Sequence, residues 1–101
     1  MDQSLEIIIW DYNADRIAAI DHNLHSAMRK LNCQGRVKSM SEPPLLARTG
    51  VLPRVPVLEI DGMYWSLRPG EEIPETACEH LLARILSSPR HGPGEQWILQ
   101  R

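Results

Sequence analysis

Apolar and polar positions follow one another along this chain with a period that shifts between two and about 3.6, and each shift marks an element. Leu5-Glu6-Ile7-Ile8-Ile9-Trp10 is apolar or β-branched at nearly every position, which suits a strand buried on both faces at the centre of a sheet. Asp11-Tyr12-Asn13 breaks the run, and either Asp11 or Asn13 is suited to cap a helix by accepting from its free N–H groups. Ile17, Ile20, Leu24, Ala27, Met28 and Leu31 then recur at steps of three and four, predicting an amphipathic helix to about Leu31. His22, Ser26, Arg29 and Lys30 lie off that stripe.

Asn32-Cys33-Gln34-Gly35 ends the helix, and Arg36-Val37-Lys38-Ser39-Met40 alternates as a half-exposed edge strand would, its cations opposing edge pairing. Pro43 and Pro44 fit the first turn of a short helix over Leu45 to Thr49, stopped by Gly50. The segment from Gly50 to Gly62 is the hub of the chain. Within it Val55-Pro56 is expected to be cis at the mouth of a strand, leaving the backbone groups of Val55 facing outward. Val57 to Ile60 and Met63 to Leu67 flank Asp61-Gly62, a strong hairpin signal because glycine accepts positive φ. After the Arg68-Pro69-Gly70-Glu71-Glu72 loop, Pro74 opens a helix whose Ala77, Cys78, Leu81, Leu82, Ile85 and Leu86 keep helical spacing. The predicted order is β-α-β-α-β-β-α without internal repeat: an α/β chain with a four-stranded mixed sheet and helices on both faces.

A length of 101 residues fits one domain, placed at 1–88, followed by a tail at 89–101. The Gly/Pro-rich stretch from Arg90 to Gly94 reads as a hinge, and Trp97, Ile98 and Leu99 beyond it as an apolar docking segment for a partner, a second copy or the domain itself. A net charge of -2 and the lack of a Lys/Arg run argue against nucleic acid as a partner. No stretch is long and apolar enough to cross a bilayer, and Met1-Asp2-Gln3-Ser4 has no signal-peptide character. Cys33 and Cys78 belong to no Cys-x-x-Cys or metal-ligand pattern, so a reduced cytoplasmic pair is expected, with a bridge between them as the alternative.

The element order, Pro56 ahead of the third strand, and Val57-Leu58-Glu59-Ile60-Asp61-Gly62 together resemble the thioredoxin-like fold, specifically its small glutaredoxin-sized proteins. The resemblance runs from about Leu5 to Leu86. It implies a groove between the first helix entrance, the residue before the cis proline and the loop near Arg68. Tyr12, Asn13, Ala14, Asp15, Val55, Pro56 and Arg68 would line it, with Val55 pairing its backbone to an extended peptide or glutathione. The family's Cys-x-x-Cys is missing. Trp10 to Ile17 carries no thiol, and neither Asn13, Ala14 nor Asp15 substitutes for a thiolate.

Other constellations read blandly. His22 and His25 near Asp21 fit a solvated helix face better than a metal site, Glu71 and Glu72 an exposed loop, and the two cysteines packed thiols. The expected function is a redox-inactive thioredoxin-like binding or accessory module without a cofactor. Its partner would be a protein or extended peptide, or a second copy, met through the groove, the tail and the aromatics Trp10, Tyr12 and Trp65, which are expected at the surface. The alternative is a divergent glutathione- or thiol-dependent oxidoreductase using a displaced cysteine. A third reading, resemblance to the circadian-clock KaiB proteins, is disfavoured by the Asp-Gly hairpin.

Overall fold

The computed structural model describes residues 4–87. The tail expected at 89–101, with Trp97, Ile98 and Leu99, lies outside the described residues. Eight elements follow one another: β1 (Ser4–Trp10), α1 (Ala14–Leu31), β2 (Gln34–Met40), α2 (Pro43–Thr49), a 3-10 turn (Leu52–Arg54), β3 (Val57–Ile60), β4 (Met63–Ser66) and α3 (Glu75–Ser87). They form a mixed α/β arrangement around a four-stranded sheet of order β2-β1-β3-β4. β1 runs parallel to β2 and antiparallel to β3, and β3 is antiparallel to β4. All four predicted strands and all three predicted helices are present, and the 3-10 turn is an addition.

Local chemistry explains the boundaries. Asn13 caps α1, its side chain accepting from the Arg16 N–H, and the basic Arg29 and Lys30 sit in the last turn, where the helix dipole favours cations. Pro43 and Pro44 occupy the first turn of α2, and Gly50 ends it at φ 83°. Asp61 (φ 51°) and Gly62 (φ 87°) give the β3–β4 turn the two positive φ values that a two-residue hairpin needs. The Val55-Pro56 bond is cis, as expected.

The sheet has a different core on each face. Leu5, Ile7, Ile9, Leu58, Ile60 and Trp65 pack under α1 and α3, meeting Ile20, Leu24, Ala27, Met28, Cys78, Leu81 and Leu82. On the other face Trp10 and Val57 pack with Leu46, Val51 and Val55 under the short α2. The expectation that β1 is buried on both faces holds only for its C-terminal end. Glu6 is exposed and Ile8 half-buried, because a helix of seven residues cannot roof the whole second face.

Gly35, in β2, lies close against both β1 and α1. A Cβ there would lie 3.0 Å from the Leu5 carbonyl oxygen and 3.0 Å from Met28 Sδ. The thioether can swing away but the backbone oxygen cannot. Gly35→Val is therefore expected to destabilise the protein by about 1–3 kcal/mol, the usual cost of overpacking, read as a lower urea midpoint. An unchanged midpoint would show that β1 and α1 separate here at no cost.

Candidate functional site

The C-terminal end of β1 turns into α1 around a fully buried carboxylate. Asp11 has 0% relative exposure, and every donor it needs lies within reach. One oxygen accepts from the Tyr12 N–H at 2.7 Å, from the Asn13 N–H at 3.3 Å and from Arg16 Nη2 at 2.7 Å. The other accepts from Arg16 Nε at 2.7 Å. The planar guanidinium thus meets the carboxylate as a two-pronged fork, the geometry that best offsets desolvation of both ions. Hydrogen bonding to Asp11 is the largest cause of a pKa for Arg16 raised above its ordinary value, so the cation is permanent.

Arg16 also ties this turn to the two other segments of the predicted groove. Its Nη1 donates to the Gly70 carbonyl at 3.0 Å, and the Gly70 N–H in turn donates to the Val55 carbonyl at 2.8 Å. Asp11, Arg16, Gly70 and Val55 form one chain of hydrogen bonds linking the α1 entrance, the 68–72 loop and the residue before Pro56. The Arg16 guanidinium carbon lies 5.6 Å from the centroid of the Tyr12 ring, within cation–π range. Tyr12 itself is 54% exposed.

Tyr12, Asn13, Ala14 and Asp15 lie exposed at the α1 entrance, Val55 and Pro56 are buried beneath, and Arg68 is exposed on the facing loop. Val55 departs from expectation in one respect. Its carbonyl does not face outward unused, because Gly70 already donates to it. Two of the three aromatics expected at the surface are also corrected. Trp10 (9% exposed) and Trp65 (4%) are core residues on opposite sheet faces, and of these three aromatics Tyr12 alone is exposed.

Trp10 instead belongs to a polar–aromatic cluster under α2. Its Nε1–H donates to Glu59 at 3.0 Å, and its ring lies 6.5 Å from that of Tyr64. Burial, and then the Glu59 charge, push the Tyr64 hydroxyl pKa upward. The period-two alternation of β3, which puts Glu59 on the face of Val57, could have disclosed this grouping. Arg16 was harder to find, since it stands five positions from Asp11 and reaches Gly70 only through the tertiary fold.

No thiol lies among these residues. Cys33 follows the far end of α1, half-buried, with burial raising its pKa. Cys78 is buried among the α1–α3 core residues, and desolvation, followed by the Glu75, Glu72 and Glu79 charges, pushes its pKa up to about 12. Both are free cysteines, so the alternative bridge is not formed. His25 Nδ1 lies 2.9 Å from the Asp21 carbonyl, and His22 is exposed. Among the described residues no group of three or more His, Cys, Asp or Glu is placed to hold a metal ion, and no helix is long and apolar enough to cross a membrane. In comparisons with known proteins, the chain matches no protein-family model, no curated protein and no solved structure.

Proposed function

We propose that this chain is a redox-inactive thioredoxin-like binding module whose groove runs between Tyr12, Val55-Pro56 and Arg68. The strand order β2-β1-β3-β4, with β1 parallel to β2 and antiparallel to β3, supports the thioredoxin-like reading. The observation that carries the functional reading is the buried Asp11–Arg16 fork. It occupies the turn where that family's dithiol chemistry would begin. A nucleophile there would need a stabilised thiolate, and the turn offers a neutralised ion pair instead. Tyr12, Asn13 and Arg68 then serve recognition, with an extended segment of a partner protein as the ligand. The segment at Trp97, Ile98 and Leu99 is a second contact in the same proposal.

The test combines reduction of insulin and of a glutathione mixed disulfide with affinity capture, using wild type beside Cys33→Ser, Cys78→Ser, Tyr12→Ala, Arg68→Glu and Trp97→Ala. The expected result is no turnover in any sample, and capture of a defined partner weakened by the Tyr12 and Arg68 changes. Turnover that disappears in either cysteine variant would establish the displaced-cysteine oxidoreductase in its place.

A further inference from the structure

We propose that the outer edge of β2 binds an extended acidic segment of another protein, which adds to the sheet as a further strand. This site is separate from the groove above and does not depend on it. β2 is the terminal strand of the sheet order, and no strand lies beyond it among the described residues. The Asp11 N–H donates to the Met40 carbonyl at 3.2 Å, which fixes the phase of the parallel ladder. In such a ladder alternate residues turn both backbone groups toward the neighbour. Gln34, Arg36, Lys38 and Met40 therefore face β1, and the N–H and C=O groups of Gly35, Val37 and Ser39 point away from the sheet.

The side chains flanking that edge select what can pair with it. On the α2 side Arg36 and Lys38 are exposed, and neither has an ion-pair partner among the described residues. Across β1, Arg36 stands beside Glu6 and Lys38 beside the half-buried Ile8, so the carboxylate that the register sets beside this pair lies on the inward side of β2. On the α1 side Val37, Leu31 and Cys33 are half-buried at the border of the core and present apolar surface. A strand with acidic side chains at every second position and apolar ones between them would match both sides. A second copy of this chain would not. Antiparallel pairing centred on Val37 sets Arg36 of each copy opposite Lys38 of the other, and like charges directly opposed are destabilising.

The probe is a short peptide alternating glutamate and valine, with a lysine–valine peptide as its counterpart, titrated into the full chain and followed by backbone amide NMR. The expected shifts centre on Gly35, Val37 and Ser39, appear with the glutamate peptide alone and weaken as salt is raised. Ser39→Pro removes one outward N–H without touching the β1 ladder and should weaken binding about five- to tenfold, the effect of one lost main-chain hydrogen bond. Arg36→Glu with Lys38→Glu, both on the surface, should exchange the preference to the lysine peptide, and this keeps the test decisive if the proline variant does not fold. Shifts confined to Tyr12, Val55 and Arg68 would overturn the edge site while leaving the groove proposal standing. Absence of shifts, binding indifferent to both variants, or self-association through β2 would each overturn it as well.

Discussion

Asp11→Ala should cost the protein about 3 kcal/mol of stability, the lower end of the range for breaking a buried ion pair. The carboxylate is fully buried, while the Arg16 side chain keeps 14% of its exposure, so the orphaned guanidinium can regain part of its hydration. That freedom is why the lower end applies. The N–H groups of Tyr12 and Asn13 lose their acceptor in the same step, and the Gly70 carbonyl loses a donor if Arg16 swings out. For a domain of this size the melting temperature should drop by more than about 10 °C. Asp11→Asn, which keeps an oxygen for the two backbone donors, should fall between wild type and alanine. Combining Asp11→Ala with Arg16→Met should destabilise less than the two single changes added together, since no unpaired charge is then left. A melting temperature for Asp11→Ala within a degree or two of wild type would show that the fork contributes nothing beyond geometry.

The second large effect concerns Cys78. A pKa pushed from 9.0 to about 12 lowers the thiolate fraction at neutral pH about a thousandfold, and burial blocks approach besides. With Ellman's reagent near pH 7 the folded protein should expose at most the slow, half-buried Cys33, and Cys78 should react only at the rate of unfolding. In urea both should react together. The same shift carries a pH dependence. Because the folded thiol ionises at higher pH than the unfolded one, its contribution is intact below about 9 and is lost as pH rises toward about 12. Stability of wild type should therefore fall through that window more steeply than that of Cys78→Ala. A Cys78 that reacts in the folded state as fast as in urea would contradict its burial between α1 and α3 and reopen thiol chemistry.

Where the chain's own periodicity carried the information, the fold could be read from it. The α1 stripe through Ile20, Leu24, Ala27 and Met28 and the Asp61-Gly62 turn are local signals, and each lies where expected. What could not be read was which side of an element would be covered. Trp10 and Trp65 have no mark in the sequence that separates a surface aromatic from a core one, and only the assembly of α2 and α1–α3 on opposite sheet faces buries them. That the α1 entrance, the segment before Pro56 and the 68–72 loop come together was legible, because each is punctuated by Asn, Pro or Gly, and the hydrogen bonds through Arg16, Gly70 and Val55 join them. The fork at their centre was not, because Asp11 lies outside the helix and the helical three- and four-residue spacing rules do not reach it.

α1 is also fastened to one continuous stretch of chain at three successive levels. Arg16 holds Gly70 near its start, Asn23 donates to Glu72 and to the Ile73 carbonyl at its middle, and Lys30 pairs with Glu75 and Glu79 near its end. The stretch from 70 to 79 is thereby laced along the length of the helix like a splint. Helix, loop and the first turns of α3 are tied together by these contacts, so a ligand pressing on Tyr12 is expected to slow amide hydrogen exchange eighteen residues along the chain, at Lys30.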